Sequence, residues 1–483
     1  MGRRVVAALV VLGLLAIVVW RVADGTRARR DRALPPDPVP QVGVPLPADV
    51  AAMGNVLLVI LDDIGQDMLD VYGLPGRHPS TPTLDGLARR GVVFRQVVAN
   101  PVCSPTRATL LTGQPAWMAG VGTAIPLRKG WDLDTDRPSL ARIVEQASGG
   151  RIRTAAVGKW HLATPNRGGW DHPRRMGFDH QRGTMGNLLG ELEGTAQSYF
   201  RWLQVEDGRP SVAEGYVTSR TVDDALSLAR GGDAPFLLWV AFHAAHYPMH
   251  APPRALLRTP LAAGATEADL YRAMIEALDT ELGRLLDGLG PEVLARTLVV
   301  VVGDNGSAPA AVEPPFDRQL AKGTLARGGT QVPLLVAGPG VAEGATSSAL
   351  VSTQDVLATV VEWLGVRGGV PPSSTSFLDV LRDPSSPGRR EVAYAERFAP
   401  NGPPETWTFH EAVARDARHK LLVRNGAEIG LFDLVGDPME TRNLFRGEPT
   451  PELRAALNRL RAAIPAVAKV RRSGERAGAG GEE

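Results

Sequence analysis

Four mostly apolar segments of strand length constrain this chain more than any other feature of its sequence. They span residues 55–61, 152–157, 235–242 and 297–302, and each of them runs into polar residues. A strand with little polar alternation is typical of a sheet that is buried on both faces. Helical patterns separate the segments, the longest over residues 269–289. The alternation predicts an α/β fold, in which a large, mixed and mostly parallel sheet is sandwiched by helices.

The pattern changes near residue 374, where shorter strand-like segments follow one another. The predicted strands cover residues 391–396, 412–423 and 429–434, and a helix over 451–464 follows them. We therefore predict a catalytic α/β domain over residues 54–373 and a smaller C-terminal domain over 374–470, built from an antiparallel sheet and a helix. Residues 471–483 carry no large apolar side chain and are predicted to be a disordered tail.

The first 53 residues have the composition of a targeting segment and a spacer. Residues 1–23 combine a basic start with an apolar run from Val5 to Trp20, which predicts a signal peptide or a membrane anchor, with a short soluble helix as the alternative. Residues 24–53 are rich in arginine and then in proline, which is typical of an extended linker. The sequence thus predicts export to the periplasm or the cell envelope.

Composition narrows the class of partner. A net charge of +1 offers no field for nucleic acid, and a single cysteine excludes an intramolecular disulfide. The chain has only five lysines against 48 arginines. Where arginine is so strongly preferred, a lysine is expected at positions that require a compact ammonium group.

The single cysteine lies in the stretch Pro101-Val-Cys-Ser-Pro-Thr-Arg107, which is followed by Ala108-Thr-Leu-Leu-Thr-Gly113. Proline favours a first helical turn and Gly113 predicts a helix end, so Cys103 is expected just before a short helix that Ser104 caps. The positive end of a helix attracts an anion and lowers the pKa of a thiol. The alternative is a lone buried cysteine with no chemical role.

Polar residues follow all four predicted strands. They are Asp62 and Asp63, Lys159 and His161, His243 and His246, and Asp304 and Asn305. Each group alone is typical of a turn or of a structural histidine. Together they can meet in one crevice, because ligands of open α/β sheets bind beyond the carboxyl ends of the strands. Three carboxylates and an amide oxygen form a hard oxygen site, which suits Ca²⁺ or Mg²⁺ and argues against a structural zinc.

The sequence Cys-x-Pro-x-Arg followed by Ala-x-x-Leu-Thr-Gly resembles the signature of the type I sulfatases, a family of the alkaline phosphatase superfamily. The resemblance extends from about Asn55 to Leu444 and implies an alkaline-phosphatase-like fold. In that family a separate formylglycine-generating enzyme oxidises the cysteine to formylglycine. The resemblance therefore implies that Cys103 is the modified residue.

The same resemblance assigns roles to the other positions. It implies Ca²⁺, with Mg²⁺ possible, on Asp62, Asp63, Asp304 and Asn305. It implies catalytic roles for Arg107, Lys159, His161, His246 and Lys322, with His243 behind His246. Lys322-Gly-Thr324 with Gly328-Gly329 resembles the family's Lys-Gly-Thr loop, but Ala326-Arg327 replaces its usual aromatic–Glu pair.

The expected activity is hydrolysis of a small sulfate monoester, whether an aryl, sugar or steroid sulfate. As the family mechanism implies, the hydrated formylglycine attacks sulfur, His246 or Lys322 protonates the leaving alcohol, and His161 assists release of sulfate. Two alternatives stay open, a phosphonate monoester or phosphodiester hydrolase of the same superfamily, and a non-catalytic anion-binding protein whose cysteine is unmodified. The segment that selects the substrate is not assigned, and candidates in and near it are Trp170, His172, His180 and Trp202.

Overall fold

The computed structural model describes residues 54–126, 131–188, 193–447 and 450–466. The predicted signal or anchor segment, the linker and the C-terminal tail lie outside these residues and stay predictions. Within the described ranges, no helix combines the length and the apolar character that a membrane crossing requires.

A mixed sheet, ten-stranded over the described residues, forms the centre of the fold. Its strands are β1 (Asn55–Leu61), β2 (Gly91–Val98), β3 (Arg153–Lys159), β4 (His180–Thr184), β5 (Arg201–Glu206), β6 (Arg209–Glu214), β7 (Phe236–Ala241), β8 (Thr297–Gly303), β9 (Leu334–Ala337) and β10 (Ala345–Ser352). They lie in the order β10-β2-β9-β8-β1-β7-β3-β4-β5-β6. The central strands β8, β1, β7, β3 and β4 are parallel, and β9, β5 and β6 pair antiparallel. The predicted fold class is confirmed.

Burial on both faces explains why the central strands lack polar alternation. Successive side chains of a strand point to opposite faces, and in β1 both faces lie in apolar cores. Val56, Leu58 and Ile60 pack in the core on one side of the sheet, and Leu57 and Val59 pack in the core on the other. Each of these side chains is fully buried.

Helices cover both faces of the sheet. The α-helices of this region are α1 (Pro82–Arg89), α2 (Cys103–Thr112), α3 (Ala116–Ala119), α4 (Leu140–Ser148), α5 (His172–Arg175), α6 (Val217–Ala229), α7 (Glu267–Leu289), α8 (Pro291–Leu294), α9 (Arg327–Thr330), α10 (Asp355–Trp363) and α11 (Leu378–Arg382). Helices α2, α4 and α10 contribute to one core, and α1, α6 and α7 contribute to the other. The long helix predicted over residues 269–289 starts two residues earlier, where Thr266 and Asp269 form a capping box.

The C-terminal region forms a separate antiparallel sheet, as predicted. Its strands are β11 (Ala393–Ala399), β12 (Phe409–Arg415), β13 (His419–Arg424) and β14 (Ala427–Asp433), and helix α12 (Pro451–Ala463) packs on it. The single strand predicted over residues 412–423 is wrong. Asp416 breaks it into β12 and β13, because its Oδ1 accepts hydrogen bonds from the backbone N–H groups of Arg418 (2.8 Å) and His419 (2.6 Å). The domain boundary at residues 373/374 stays a prediction.

Candidate active site

The carboxyl ends of β1, β3, β7 and β8 meet at one edge of the sheet. Strand β1 lies between β7 and β8, and its last residue, Leu61, pairs with Gly303 of β8. Asp62 and Asp304 therefore follow neighbouring strands side by side, and the Asp304 N–H donates to the Leu61 carbonyl (3.0 Å). Strand β3 joins from the other side through β7. The four groups of polar residues that the sequence places after these strands thus meet in one region.

Helix α2 brings the cysteine to the same edge. It begins at Cys103 itself, with Val102 as the N-cap, so the expected position of Cys103 just before the helix is off by one residue. Ser104 does not cap the helix, because its Oγ accepts a hydrogen bond from the Ile125 N–H (3.0 Å). The predicted end is correct, since Gly113 terminates the helix with a left-handed φ of 67°.

Cys103 faces two of the residues that the sequence places with it. Its Sγ lies 3.3 Å from Nδ1 of His161 and 4.0 Å from Nζ of Lys159. The expectation of a lowered thiol pKa is wrong. The side chain is fully enclosed, and this burial raises the pKa of Cys103 against the opposing effect of Lys159 and Lys322. An unmodified thiol at this position is therefore protonated and a weak nucleophile.

His161 is held as a neutral base. Its Nε2 lies 3.1 Å from the Ile125 carbonyl, and because a carbonyl can only accept, Nε2 carries the proton. Nδ1 is then free to accept a proton from a group at position 103. Burial, together with the positive charges of Lys159 and Arg107, lowers the pKa of His161 well below its usual value. His161 adopts a left-handed φ of 62°, so the segment is not extended throughout, as expected, and the turn aims the ring at Cys103.

Three carboxylates face three cations at this edge. Lys159 Nζ lies 2.5 Å from Asp62 Oδ2, and Lys322 Nζ lies 2.5 Å from Asp63 Oδ1. The remaining pair is Arg107 and Asp304, in which Nε donates to Oδ2 at 2.9 Å. Arg107 also donates through Nη1 to the Lys159 carbonyl (2.6 Å), so it positions two strand ends at once.

The environment shifts the pKa values of several charged groups at this edge in different directions. Burial acts to raise the pKa of Asp62, but the surrounding cations, led by Lys159, outweigh it and hold the pKa well below its usual value. Burial and the neighbouring Asp62 carboxylate raise the pKa of Asp304 to about 7. Burial acts to lower the pKa of Lys322, but the Asp63 carboxylate outweighs it and raises the pKa. Lys322 is therefore firmly cationic at neutral pH.

The donor set at this edge fits a divalent cation. Oδ1 of Asp62 and Oδ1 of Asn305 are buried oxygens without a hydrogen-bond partner among the described residues. Nδ2 of Asn305 donates to Asp63 Oδ1 (2.9 Å), which leaves the amide oxygen available. Ligand atoms of Asp62, Asp63 and His246 lie within 4.8 Å of one another, as do those of Asp62, Cys103 and Asp304. Buried oxygen acceptors with no donor are what Ca²⁺ or Mg²⁺ would satisfy.

The loop after β7 carries the two other histidines. His246 Nε2 lies 4.0 Å from Asp63 Oδ2, and burial together with Lys159 lowers the pKa of His246 to about 4. His243 lies behind it, and its Nε2 shares a hydrogen bond with Thr184 Oγ1 (2.8 Å). Tyr199 was missed by the sequence analysis. Its hydroxyl lies 2.8 Å from the His243 carbonyl and 2.7 Å from the His246 carbonyl. No motif in the sequence marks this tyrosine.

Close backbone packing positions the Lys322 loop. The Gly306 N–H donates to the Gly329 carbonyl (3.1 Å), so the loop lies against the turn that carries Asp304 and Asn305. A Cβ on Gly306 would lie 1.7 Å from the Gly328 carbonyl oxygen, which excludes any side chain there. Ala326 and Arg327 stand where the family usually has an aromatic–Glu pair, and Lys322 still lies at the site.

The four unassigned candidates have separate surroundings. Trp202 is buried in an apolar core, and Trp170 packs against the other core. His172 accepts a hydrogen bond from Trp160 Nε1 at its Nδ1 (3.1 Å), and its Nε2 lies 2.8 Å from the Leu133 carbonyl. His180 forms an exposed pair with Asp207 (3.1 Å). We assign none of these four to the site.

Comparisons with known proteins identify the family and several relatives. A sulfatase family model matches residues 54–366. N-acetylgalactosamine-6-sulfatase of Sus scrofa is 29% identical over 68% of this chain and 65% of its own length. Steryl-sulfatase of Mus musculus is 27% identical over 95% of this chain and 86% of its own length. This chain thus spans less than two thirds of the Sus scrofa protein.

A solved structure shows the same fold. The structure of Ps i-CgsB in complex with k-i-k-neocarrahexaose superposes with a TM-score of 0.71 and 23% identity, over 87% of this chain and 94% of that one. At this identity the likeness concerns the fold.

Proposed function

Because the chain belongs to the sulfatase family, we propose that it hydrolyses sulfate monoesters at the site around Cys103. One observation carries the proposal. The proton-accepting Nδ1 of His161 and the ammonium of Lys159 both lie within 4.0 Å of the Cys103 sulfur. An oxygen-rich cluster that fits a divalent cation lies beside them. This arrangement combines the nucleophile position, a base and positive charge for an anionic sulfate ester.

Two groups would complete the site. Formylglycine formed from Cys103 would supply a hydrated aldehyde as the nucleophile. The residues that would hold a divalent cation are Asp62, Asp63, Asp304 and Asn305, and the cation would polarise a sulfate oxygen. We propose Ca²⁺, with Mg²⁺ as the other candidate, since both prefer oxygen ligands.

The chain's own residues would bind and orient the ester. Lys159 Nζ, 4.0 Å from the Cys103 sulfur, is placed to neutralise a sulfate oxygen. Lys322 Nζ and His246 Nε2 lie 2.6 Å and 4.0 Å from the same oxygen, Asp63 Oδ2. The two nitrogen atoms are therefore neighbours on the side of the site that Asp63 occupies. Either can deliver a proton to the leaving oxygen, His246 once its Nε2 is protonated.

His161 and Arg107 have different roles on the side of the site that holds Cys103. His161 accepts a proton at Nδ1 from the group at position 103, because its Nε2 proton is fixed on the Ile125 carbonyl. Arg107 positions rather than reacts, since it ties Asp304 to the Lys159 carbonyl. The hydrogen bonds of the two side chains support this division of roles.

The names of the relatives suggest the substrate class. N-acetylgalactosamine-6-sulfatase and steryl-sulfatase are named for a sulfated sugar and a sulfated sterol. We propose a small sulfated molecule for this chain and a formylglycine-generating enzyme as its modifying partner. A panel of sugar, steroid and aryl sulfates would identify the preferred class.

The test is turnover of an aryl sulfate by protein produced together with a formylglycine-generating enzyme. Wild type should release sulfate, and peptide mass spectrometry should show H₂S replaced by one oxygen at residue 103. Cys103→Ala should be inactive, and Cys103→Ser should at best trap a sulfated enzyme, because a serine ester lacks the second hydroxyl that eliminates sulfate. Faster turnover of a matched phosphonate or phosphodiester would favour the other hydrolase class. One equivalent of free thiol in a fully active preparation would contradict the proposal.

A further inference from the structure

A cavity that is partly open to solvent lies where the main sheet meets the C-terminal sheet. It has a volume of about 250 Å³ and is lined by residues of both sheets and of the α9 segment. The main sheet contributes Arg95 and Gln96 of β2, and the C-terminal sheet contributes Arg415 at the end of β12 and Lys420 of β13. None of the eleven residues from Asp62 to Lys322 that the sequence assigns to the catalytic and metal sites, His243 included, lines this cavity.

The charges that line the cavity are unbalanced. Among the described residues they are four cations, Arg95, Arg327, Arg415 and Lys420, and one carboxylate, Glu440. Lys420 alone of the four has a hydrogen-bonded carboxylate partner, since its Nζ donates to both carboxylate oxygens of Glu440 at 2.8 Å and 2.7 Å. The same Glu440 carboxylate also acts on Arg415 and Arg327, so one negative charge serves three cations. Asp67, which acts on Arg327 less strongly than Glu440, lines a neighbouring cleft and accepts a hydrogen bond from Ser307 (2.8 Å).

The three guanidinium groups rest on neutral acceptors within the described part of the chain. Arg415 donates to Gln96 Oε1 (2.6 Å) and to the Asp416 carbonyl (3.2 Å). Arg95 donates to the Tyr72 carbonyl (2.8 Å), and Arg327 donates to the Pro438 carbonyl (3.4 Å). Each guanidinium has five N–H groups, so donors remain for a ligand.

Burial makes the part of this positive charge on Arg415 costly, whereas Arg95 is exposed and Arg327 is half-buried. Arg415 and Lys420 are 9% and 2% exposed. Burial, with a smaller contribution from Arg327, lowers the pKa of Arg415 to about 10 against the opposing effect of Glu440, and burial likewise outweighs Glu440 and lowers the pKa of Lys420. A buried cation without a counter-charge is destabilising, and an anion between these groups would remove that penalty.

We propose that this cavity binds an oxyanion, such as inorganic sulfate or phosphate or the same group carried on a small molecule. One guanidinium group can donate two parallel hydrogen bonds to two oxygens of such an anion. The side chains of Thr330, Gln331 and Ser348 add neutral polar atoms to the lining. This inference is independent of the proposed function, because it uses none of the residues around Cys103.

Equilibrium dialysis with radiolabelled sulfate tests the site, with Cys103→Ala as the parent protein to prevent turnover. The proposal expects two bound sulfates, one at each site. Adding Arg327→Glu places a carboxylate in the cavity and should weaken one of the two by about tenfold or more. Adding Lys322→Met instead should weaken the other one. Arg90, exposed at the end of α1, provides the matched control Arg90→Glu.

The two variants separate this proposal from the proposed function. Sulfate binding that Arg327→Glu weakens and Lys322→Met spares supports the cavity site, even if the catalytic site binds no sulfate. Binding that Lys322→Met alone weakens overturns the cavity site and leaves the proposed function standing. Competition identifies the source of the anion, because displacement by inorganic phosphate but not by glucose 6-phosphate indicates a free oxyanion, and displacement by both indicates a group on a small molecule. Both variants should retain the circular dichroism spectrum of the parent.

Discussion

The two charged clusters of this protein differ in how their charges are matched. At the catalytic edge three carboxylates face three cations, and the pairs are close, at 2.5 to 2.9 Å. In the cavity between the two sheets four cations share one carboxylate, and three guanidinium groups donate to neutral carbonyl and amide oxygens. Both clusters include deeply buried groups, but Arg95 is exposed and Arg327 is half-buried, so solvent screens part of the charge in the cavity.

The atoms left over in each cluster indicate the sign of the missing ligand. At the catalytic edge the unsatisfied acceptors are Oδ1 of Asp62 and Oδ1 of Asn305, which favour a cation. Within the described part of the chain, Nη2 of Arg107 and Nδ1 of His243 also lack a hydrogen bond there, although Nη2 lies 2.9 Å from Asp304 Oδ2. In the cavity the surplus lies with N–H donors, which favours an anion. A balanced cluster that gains a divalent cation becomes positive and can then attract a monoanionic sulfate ester. The cavity attracts an anion without such a step.

The largest expected effect comes from removing a carboxylate at the balanced cluster. Asp304→Ala deletes a proposed metal ligand and leaves the Arg107 guanidinium without its main partner. We expect bound Ca²⁺ or Mg²⁺ to be lost and kcat to fall by about 10³ or more. Metal analysis and turnover of an aryl sulfate measure both effects, and Asp287→Ala, at an exposed position of α7, is the control. Full activity in a chelated, metal-free sample would contradict the prediction.

The next effect tests whether the shape of a cation matters as much as its charge. Lys322→Arg keeps the charge beside Asp63 but replaces a compact ammonium with a planar, larger guanidinium. We expect kcat to fall by about 10² to 10³. Lys469→Arg, outside the described residues, is the control for the substitution. Near-normal turnover of Lys322→Arg would mean that Lys322 does not contact the reacting group.

Sequence patterns predicted the centre of the fold better than its edges. The strands β1, β7 and β8 are buried on both faces, so their composition alone marks them. β9, β10 and the β4–β6 extension were not predicted, because short or partly exposed strands depend on their neighbours for stability. The break at Asp416 was missed for a related reason. One side chain that binds two backbone N–H groups ends a strand without any change in the apolar pattern.

The site was predictable in its membership but not in its electrostatics. The strand-end rule and the family resemblance together named the residues that meet near Cys103. They could not show that burial outweighs the nearby Lys159 and Lys322 and raises the pKa of Cys103. Nor could they find Tyr199 or the cationic cavity, since residues such as Arg327 and Arg415 are distant in sequence and share no motif. Three of the five lysines do occupy the two clusters, Lys159 and Lys322 in one and Lys420 in the other.

A pH effect is expected beneath the catalytic edge, where a neutral imidazole supports Trp160 between Lys159 and His161. Burial lowers the pKa of His172 to about 4, below the unfolded value near 6.5. The unfolded chain therefore binds more protons between these two pH values, and stability falls as the pH drops from 6.5 to 4, by at most about 1.4 kcal/mol per pH unit. The glutamine of His172→Gln can accept a hydrogen bond from Trp160 and donate one to the Leu133 carbonyl, but it does not titrate. The variant should therefore reduce the dependence of the free energy of unfolding on pH between 6.5 and 4, as measured by urea unfolding. An unchanged slope would show that His172 does not titrate differently in the folded protein.

The smallest effect concerns the unbalanced cluster and needs no bound ligand. Arg327→Glu should raise the free energy of unfolding by about 1 kcal/mol in low-salt buffer free of sulfate and phosphate, because it supplies Arg415 and Arg95 with a carboxylate. Repulsion from Glu440 and Asp67 and the partial exposure of position 327 keep the gain small. Urea unfolding measures it, with Arg90→Glu expected to change the free energy by less than about 0.5 kcal/mol. Added sulfate should stabilise the wild type more than the variant, since only the wild type keeps an anion site in the cavity. If Arg327→Glu instead destabilises the protein, and sulfate stabilises both proteins equally, the guanidinium groups are already compensated and the contrast between the two clusters fails.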